Sequence, residues 1–243
     1  MRAFFLDLAS NDGLLACVTP EQVVASVPVD HRIDDADLVP LIERTLADAG
    51  WEYKDVARVA CVTGPGGFTS LRVAVAAVNA MAGVLGIPVC GIHLSEVYRS
   101  RFSGARLSPS SRPTPTPQPP PPSGEGVQGV GAGVQKKGKN SEQSLLGIWW
   151  LHSTKKHELF LCGFGSFAER VPEPICMSLD QIRSVVHAGD HWMGEFIDEH
   201  RRIMDDAGLQ PARLQAVESA LPGLLAEQTY QKKLLQPWYG RGW

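Results

Sequence analysis

Thr63-Gly64-Pro65-Gly66-Gly67-Phe68-Thr69-Ser70-Leu71-Arg72 runs without a break into Val73-Ala74-Val75-Ala76-Ala77-Val78, and the fold is read outward from this stretch. Before it, Val56 to Val62 is continuously apolar enough to predict a buried strand. Glycine and proline then force a corner, and the spacing from Ser70 to about Leu85 predicts a long helix stopped by Gly86. A glycine-rich turn between a buried strand and a helix N-terminus presents backbone N–H groups that can cradle an anion. The same residues equally suit a tight corner where the backbone passes close to a neighbour. The Gly-Lys-Ser/Thr ending of a phosphate loop and the G-x-G-x-x-G spacing are both absent.

The helix behind the corner is apolar at nearly every position, with Arg72 and Asn79, seven residues apart on one stripe, as its clear exceptions. A helix apolar all round needs cover on several faces. One face can pack on a sheet, and the opposite one calls either for burial within the chain or for another protein.

Toward the N-terminus, Ala3 to Leu8, Leu14 to Val18 and Val23 to Val29 are strand candidates, the first two joined by the turn-forming Asn11-Asp12-Gly13. Three such strands predict an antiparallel meander. Leu38, Val39, Leu41, Ile42 and Leu46 then repeat at helical spacing, led by Asp34, Asp35 and Asp37, with Pro40 in the first turn and Gly50 at the stop. Ile87 to Ile92 closes this half as a strand. Strands and helices in this order predict an α/β fold on a mixed sheet.

Composition changes abruptly after Phe102. No aromatic residue occurs before Trp149, and eight of the eighteen prolines fall between Pro109 and Pro122, followed by Gly124, Gly126, Gly129, Gly131 and Gly133. Such a stretch cannot supply a core and predicts a disordered tether over 103–144 between two units, 1–102 and 145–243. Beyond it, Leu145 to Leu151 and Glu158 to Phe164 suggest strands joined by a turn over His152 to His157. Ser178 to Val185, Trp192 to Met204 and Leu214 to Glu227 suggest helices.

With 243 residues, 44% hydrophobic, the chain can bury a core, and its net charge of -3 offers no general attraction for nucleic acid. Cys17, Cys61, Cys90, Cys162 and Cys176 form no C-x-x-C pair, and an odd count argues against a disulfide framework. The N-terminal apolar run is too short for a signal peptide, and no apolar stretch of membrane-spanning length escapes polar interruption. These features suggest a cytoplasmic protein with no membrane contact. His187 and His191 have an i, i+4 spacing known from zinc sites, but Ala188-Gly189-Asp190 between them argues against a helix. Lys136, Lys137 and Lys139 can meet RNA phosphate or simply be solvated. No Ser-His-Asp or Cys-His arrangement can be located by spacing.

The succession of Asp-rich lead-in, helix, Gly50, strand, Gly64-Pro65-Gly66-Gly67-Phe68-Thr69-Ser70-Leu71-Arg72, apolar helix and Gly86-Ile87-Pro88-Val89 resembles the TsaB (YeaZ) family. Gly67 and Ser70 depart from the family pattern, and His31 falls where the family commonly has a histidine. The likeness covers residues 1 to 99 well. Further on, Glu158 with the basic pair Lys155-Lys156, then Gly189-Asp190, then Pro237-x-Tyr239-x-Arg241 echo family features.

This resemblance implies a two-lobed actin-like ATPase (ribonuclease-H-like) fold with a degenerate nucleotide site. It also implies a non-catalytic scaffold for the complex that attaches threonylcarbamoyl to an adenosine of tRNA. The implied partners are a TsaD-like catalytic subunit or a second copy of the chain, a TsaE-like ATPase, and tRNA reached through the complex. No cofactor of its own is implied; ATP or ADP would belong to the assembled complex. The expected partner surface comprises Gly64, Pro65, Gly66, Phe68, Thr69, Arg72, Val75, Val78 and Asn79, with Leu38 and Ile42 from the preceding helix; a charge at Val75 or Val78 would break the pairing. Asp7 and Ser10 are the expected nucleotide-facing residues, although Asp7 also suits a strand-end carboxylate bonded to its own turn. A self-sufficient ATPase or phosphotransferase of the same fold is the alternative.

Overall fold

The computed structural model describes residues 2–29, 33, 35–102 and 147–240. His31, Lys136, Lys137, Lys139, Arg241 and the expected tether lie outside them.

The opening meander is present. Strands β1 (Ala3–Asp7), β2 (Leu14–Val18) and β3 (Val23–Pro28) pair antiparallel, with the hairpin registered Asp7 to Leu14. Helix α1 (Asp35–Asp48), strand β4 (Arg58–Gly64), helix α2 (Phe68–Leu85) and strand β5 (Val89–His93) follow. Because each helix crosses over, β4 joins β1 in parallel and β5 joins β4 in parallel, giving the order β3-β2-β1-β4-β5. Pro40 sits within the second turn of α1, since the helix starts earlier than its apolar pattern suggests. A helix the sequence reading did not anticipate, α3 (Leu94–Arg101), follows β5 directly.

The second half repeats this plan. Strands β6 (Ile148–Lys155), β7 (Glu158–Phe164) and β8 (Ile175–Ser178) form an antiparallel meander. Helix α4 (Leu179–Val185), strand β9 (His191–Glu195), helix α5 (Asp198–Asp206), strand β10 (Gln210–Pro211) and helix α6 (Val217–Glu227) follow. The order β10-β9-β6-β7-β8 is that of the first sheet written in reverse. Two expectations are corrected here. The predicted turn over His152 to His157 is mostly strand, narrowing to Lys156 and His157. The predicted helix over Trp192 to Met204 is a strand followed by a helix. Gly194, at φ +128, breaks the run where β9 lies against the backbone of Leu151, and Asp198 and Glu199 mark the true helix start.

Alternation in the strands divides the interior into three cores. Phe4, Leu6, Leu15 and Cys61 face α1 and α2. Phe5, Ala16 and Val62 face the opposite way, toward α3, α6 and the inner side of the second sheet at Trp150, Phe160 and Cys162. Trp149, Leu151, Leu159 and Leu161 point outward beneath α4 and α5. The result is five layers, in which α3 and α6 are shared by both sheets.

Helix α2 is buried along Leu71, Ala74, Val75, Val78 and Ala82. Its other flank is left uncovered among the described residues: Phe68 is 53% and Val84 86% exposed, and Arg72, Ala76, Ala80 and Gly83 between them are exposed too. By length and mean hydropathy this helix would pass as a membrane span, a test that core helices also meet. Val75, Val78, Leu38 and Ile42, expected at the partner surface, are instead sealed against the chain's own sheet. Their spacing marks the apolar face of a helix, but only packing decides which side of an all-apolar helix meets the sheet.

Val78→Asp is therefore expected to destabilise the isolated chain by about 3–5 kcal/mol through a buried unpaired charge. Ala80→Asp, two residues further on and on the opposite, solvent-facing side of the helix, is expected to cost within about 1 kcal/mol. Urea unfolding of both variants, with no partner present, checks the assignment of faces.

Candidate functional site

Of the two readings of the glycine-rich corner, the tight turn describes its geometry. Gly64 has φ +139, and a Cβ there would run into the carbonyl of Trp238; a Cβ on Gly66 would crowd the backbone of Ala9. What lies so close to Gly64 is the C-terminal segment, which returns from α6 across the first sheet as a strap. Gln231 exchanges both backbone hydrogen bonds with Val89 at 2.9 Å. Asn79 Nδ2 donates to the Leu235 carbonyl at 3.0 Å, and Leu235 N–H donates back to Asn79 Oδ1 at 2.9 Å. Trp238 N–H donates to the Thr63 carbonyl at 2.8 Å. Asn79 is thus committed within the chain and does not share an outward polar stripe with Arg72, as its spacing suggests.

The strap also reaches the second lobe. The Trp238 ring packs edge-on to His93 at 4.4 Å and against Phe160 of β7 at 5.1 Å, while Tyr239 stacks on Phe68 at 5.2 Å. Below these rings a cleft of about 550 Å³ opens between the lobes. Its walls are Ala9 and Asn11, the corner from Pro65 to Phe68, the β6 end from His152 to Lys155, residues 195–197 and the strap aromatics. Ser153 ties two of these walls together: its hydroxyl donates to His200 Nδ1 at 2.9 Å and accepts from Ile197 N–H at 3.0 Å.

Neither expected nucleotide-facing residue lines this cleft. Asp7 is 1% exposed. Its Oδ1 accepts the N–H groups of Ala9 and Ser10 at 2.8 and 3.1 Å, and its Oδ2 accepts the Ser10 hydroxyl at 2.6 Å. Both oxygens serve the turn that leaves β1, the strand-end arrangement weighed above. Burial holds the Asp7 carboxyl above its ordinary range despite these bonds.

Residues not anticipated from the sequence occupy the depth of the cleft. Glu195, at the end of β9, reaches across to the first lobe, where its Oε1 accepts Asn11 N–H and the Tyr98 hydroxyl, both at 2.8 Å. Burial raises its carboxyl to about 7. His152 Nδ1 lies 3.8 Å from Glu195 Oε2 and has no hydrogen-bond partner among the described residues; burial lowers this imidazole to about 4. His93 caps α3 through Nδ1, which accepts Ser95 N–H at 3.2 Å, and burial lowers it to about 3. The Glu195–His152 approach has the separation of an ion pair, yet both shifts favour the neutral forms, so between about pH 4 and pH 7 it is chiefly an acid beside an uncharged imidazole. Gly194 and the acidic pair Asp198-Glu199 are the signals that would have placed Glu195 on a strand end. Gly189-Asp190 closes a turn, Asp190 Oδ2 accepting His187 N–H and Trp149 Nε1–H, both at 2.9 Å.

The TsaD family, tRNA N6-adenosine threonylcarbamoyltransferase, matches residues 32–105, the segment that holds α1, β4, the corner, α2, β5 and α3. Over 78 residues the chain is 36% identical to the tRNA N6-adenosine threonylcarbamoyltransferase of Moorella thermoacetica, covering 31% of this chain and 22% of that enzyme. Two structures from Pseudomonas aeruginosa match over nearly all of their length. One is YeaZ, with a TM-score of 0.61, covering 98% of this chain and 99% of that one. The other is an uncharacterized protein with similarity to peptidase YEAZ, with a TM-score of 0.62 and 99% of each chain covered. Both are 15% identical to this chain. The chain is YeaZ-like in architecture and has the two-lobed actin-like ATPase fold.

Raised from 4.5 to about 7, the Glu195 carboxyl contributes stability that is complete below pH 4.5 and is lost as pH rises through about 7. That loss is on the order of 3 kcal/mol at most. Glu195→Gln keeps an acceptor for Asn11 and Tyr98 but cannot ionise. Its unfolding free energy is expected to fall less than the wild type's between pH 5 and pH 8.5; parallel curves would refute the role given to this carboxyl.

Proposed function

We propose that the chain is a non-catalytic partner subunit of the cytoplasmic system that forms threonylcarbamoyladenosine in tRNA, and that it docks a TsaD-like catalytic subunit on the exposed flank of α2. The observation that carries this reading is that flank itself. Arg72 apart, Phe68, Ala76, Ala80, Gly83 and Val84 offer an uncharged surface, small at its centre, that the described residues leave open. Small side chains let two helix backbones approach closely, so that ridges of one fill grooves of the other. A match to the TsaD family over this segment supports the choice of partner, because helices of like sequence can bury like faces against each other. A second copy of the chain would use the same flank.

The cleft supports a supporting rather than a catalytic role. Asp7 spends both oxygens on its own turn, and Glu195 is neutral over much of the range below pH 7. These residues do not fit a metal-bound nucleotide held by this chain alone, since hard cations require ionised carboxylates free to coordinate them. ATP or ADP, a TsaE-like ATPase and tRNA would be engaged by the assembled complex.

Co-expression with the TsaD-like transferase of the same organism tests this reading. Wild type is expected to co-purify with it, and Ala76→Glu and Ala80→Glu are expected to abolish recovery, because each places an unpaired charge at the centre of the contact. The purified chain alone is expected to hydrolyse no ATP. Retained pairing in both variants, or ATP hydrolysis that Asp7→Asn removes, would sink the proposal.

A further inference from the structure

We infer that the partner face of α2 is completed by the chain's own C-terminal strap, and that Phe68, Arg72 and Tyr239 form one anchor for a partner side chain bearing a carboxylate. The inference rests on the reading of α2 as the docking face and specifies the chemistry that face selects.

Phe68 is half exposed at the start of α2, yet its ring is held from two sides. Tyr239 stacks on it at 5.2 Å with the planes 30° apart, and the Arg72 guanidinium lies over it, 5.2 Å from the ring centre. Tyr239 does not belong to the helix. It is delivered by the strap, whose course is set by the Asn79–Leu235 pair of hydrogen bonds and by Trp238 N–H on the Thr63 carbonyl. An exposed aromatic fixed in this way loses little conformational freedom when a partner covers it, which is the economy of a preorganised hot spot.

Arg72 supplies the charge. Arg72 forms no ion pair among the described residues and rests on a ring instead, as Arg170 and Arg201 also do, while Arg2, Arg44, Arg99 and Arg101 each pair with a carboxylate of this chain. Along the flank its neighbours Thr69, Ala76, Ala80, Gly83 and Val84 are all uncharged. A guanidinium lying on a ring keeps its N–H edge for a planar acceptor. Once a partner helix covers the flank, that edge loses water and needs a carboxylate to replace it. The fitting partner is therefore a protein helix with small residues opposite Ala76 and Ala80 and an aspartate or glutamate about one turn away, opposite Arg72.

Calorimetric titration of the full-length chain with the organism's TsaD-like transferase, at low and moderate salt, tests the anchor. Arg72→Gln is expected to weaken binding about 10- to 100-fold at low salt and to flatten its salt dependence. Tyr239→Ala is expected to weaken it to a similar degree, while Tyr239→Phe, which keeps the ring, binds as wild type. Should Arg72→Gln and Tyr239→Ala both bind as wild type while Ala76→Glu does not, the anchor is refuted and the docking face stands. Should Ala76→Glu also bind as wild type, both fall. If Tyr239→Ala fails to fold, Arg72→Gln and its salt dependence decide the matter, because that side chain is exposed.

Discussion

The close approach of backbone to backbone at Gly64 and Gly66 is the constraint on which the rest of this molecule depends. Without a Cβ at either position, β4 can turn directly into α2, with Ala9 on one side of the corner and Trp238 on the other. That turn sets the direction of α2 over the sheet. It also leaves the strap room to pass, and the strap brings two aromatic residues to the mouth of the cleft. A side chain at Gly64 would displace the Trp238 backbone, and with it the Tyr239 ring that braces Phe68.

The two halves are bound more intimately than their separation in sequence implies. Each repeats one sheet plan, a meander on one side of its first strand and parallel crossovers on the other. Helices α3 and α6 lie between the sheets and belong to one core with both. Arg99 on α3 bonds Glu96 of its own helix and Glu227 of α6, and Glu195 of the second half closes on Asn11 and Tyr98 of the first. Buried carboxyls in an actin-like cleft invite a catalytic interpretation. Here Asp7 spends both oxygens on its own turn, and Glu195 Oε1 alone accepts a backbone and a hydroxyl donor from the other half, which is in keeping with the scaffold role proposed above.

Much of the first half was legible from its residues. The hairpin at Asn11-Asp12-Gly13, the amphipathic α1, the buried β4 and the glycine stop at Gly86 each obey local rules, because turn chemistry and hydrophobic period are properties of short segments. The second half was harder to read. Trp192, Phe196 and Met204 mimic helical spacing across what is a strand, a bend and a separate helix, and α3 follows β5 with no linker to announce it. Of the site, the corner and α2 were recognisable from composition, whereas Glu195, His152 and Tyr98 carry no local signal of their meeting.

What the sequence by itself determined is the type and order of most elements in the first half, and the excess of apolar surface on α2. Only the tertiary structure decided which side of that helix is spent on the sheet, since an all-apolar helix has no polar face to orient it. It likewise decided that Val75, Val78, Leu38 and Ile42 lie inward, that Asn79 holds the strap, and that Asp7 serves its own turn. The physical reason is the same in each case. Contacts between residues far apart along the chain depend on how layers stack, and stacking is settled by the combined burial of both halves rather than by any one segment.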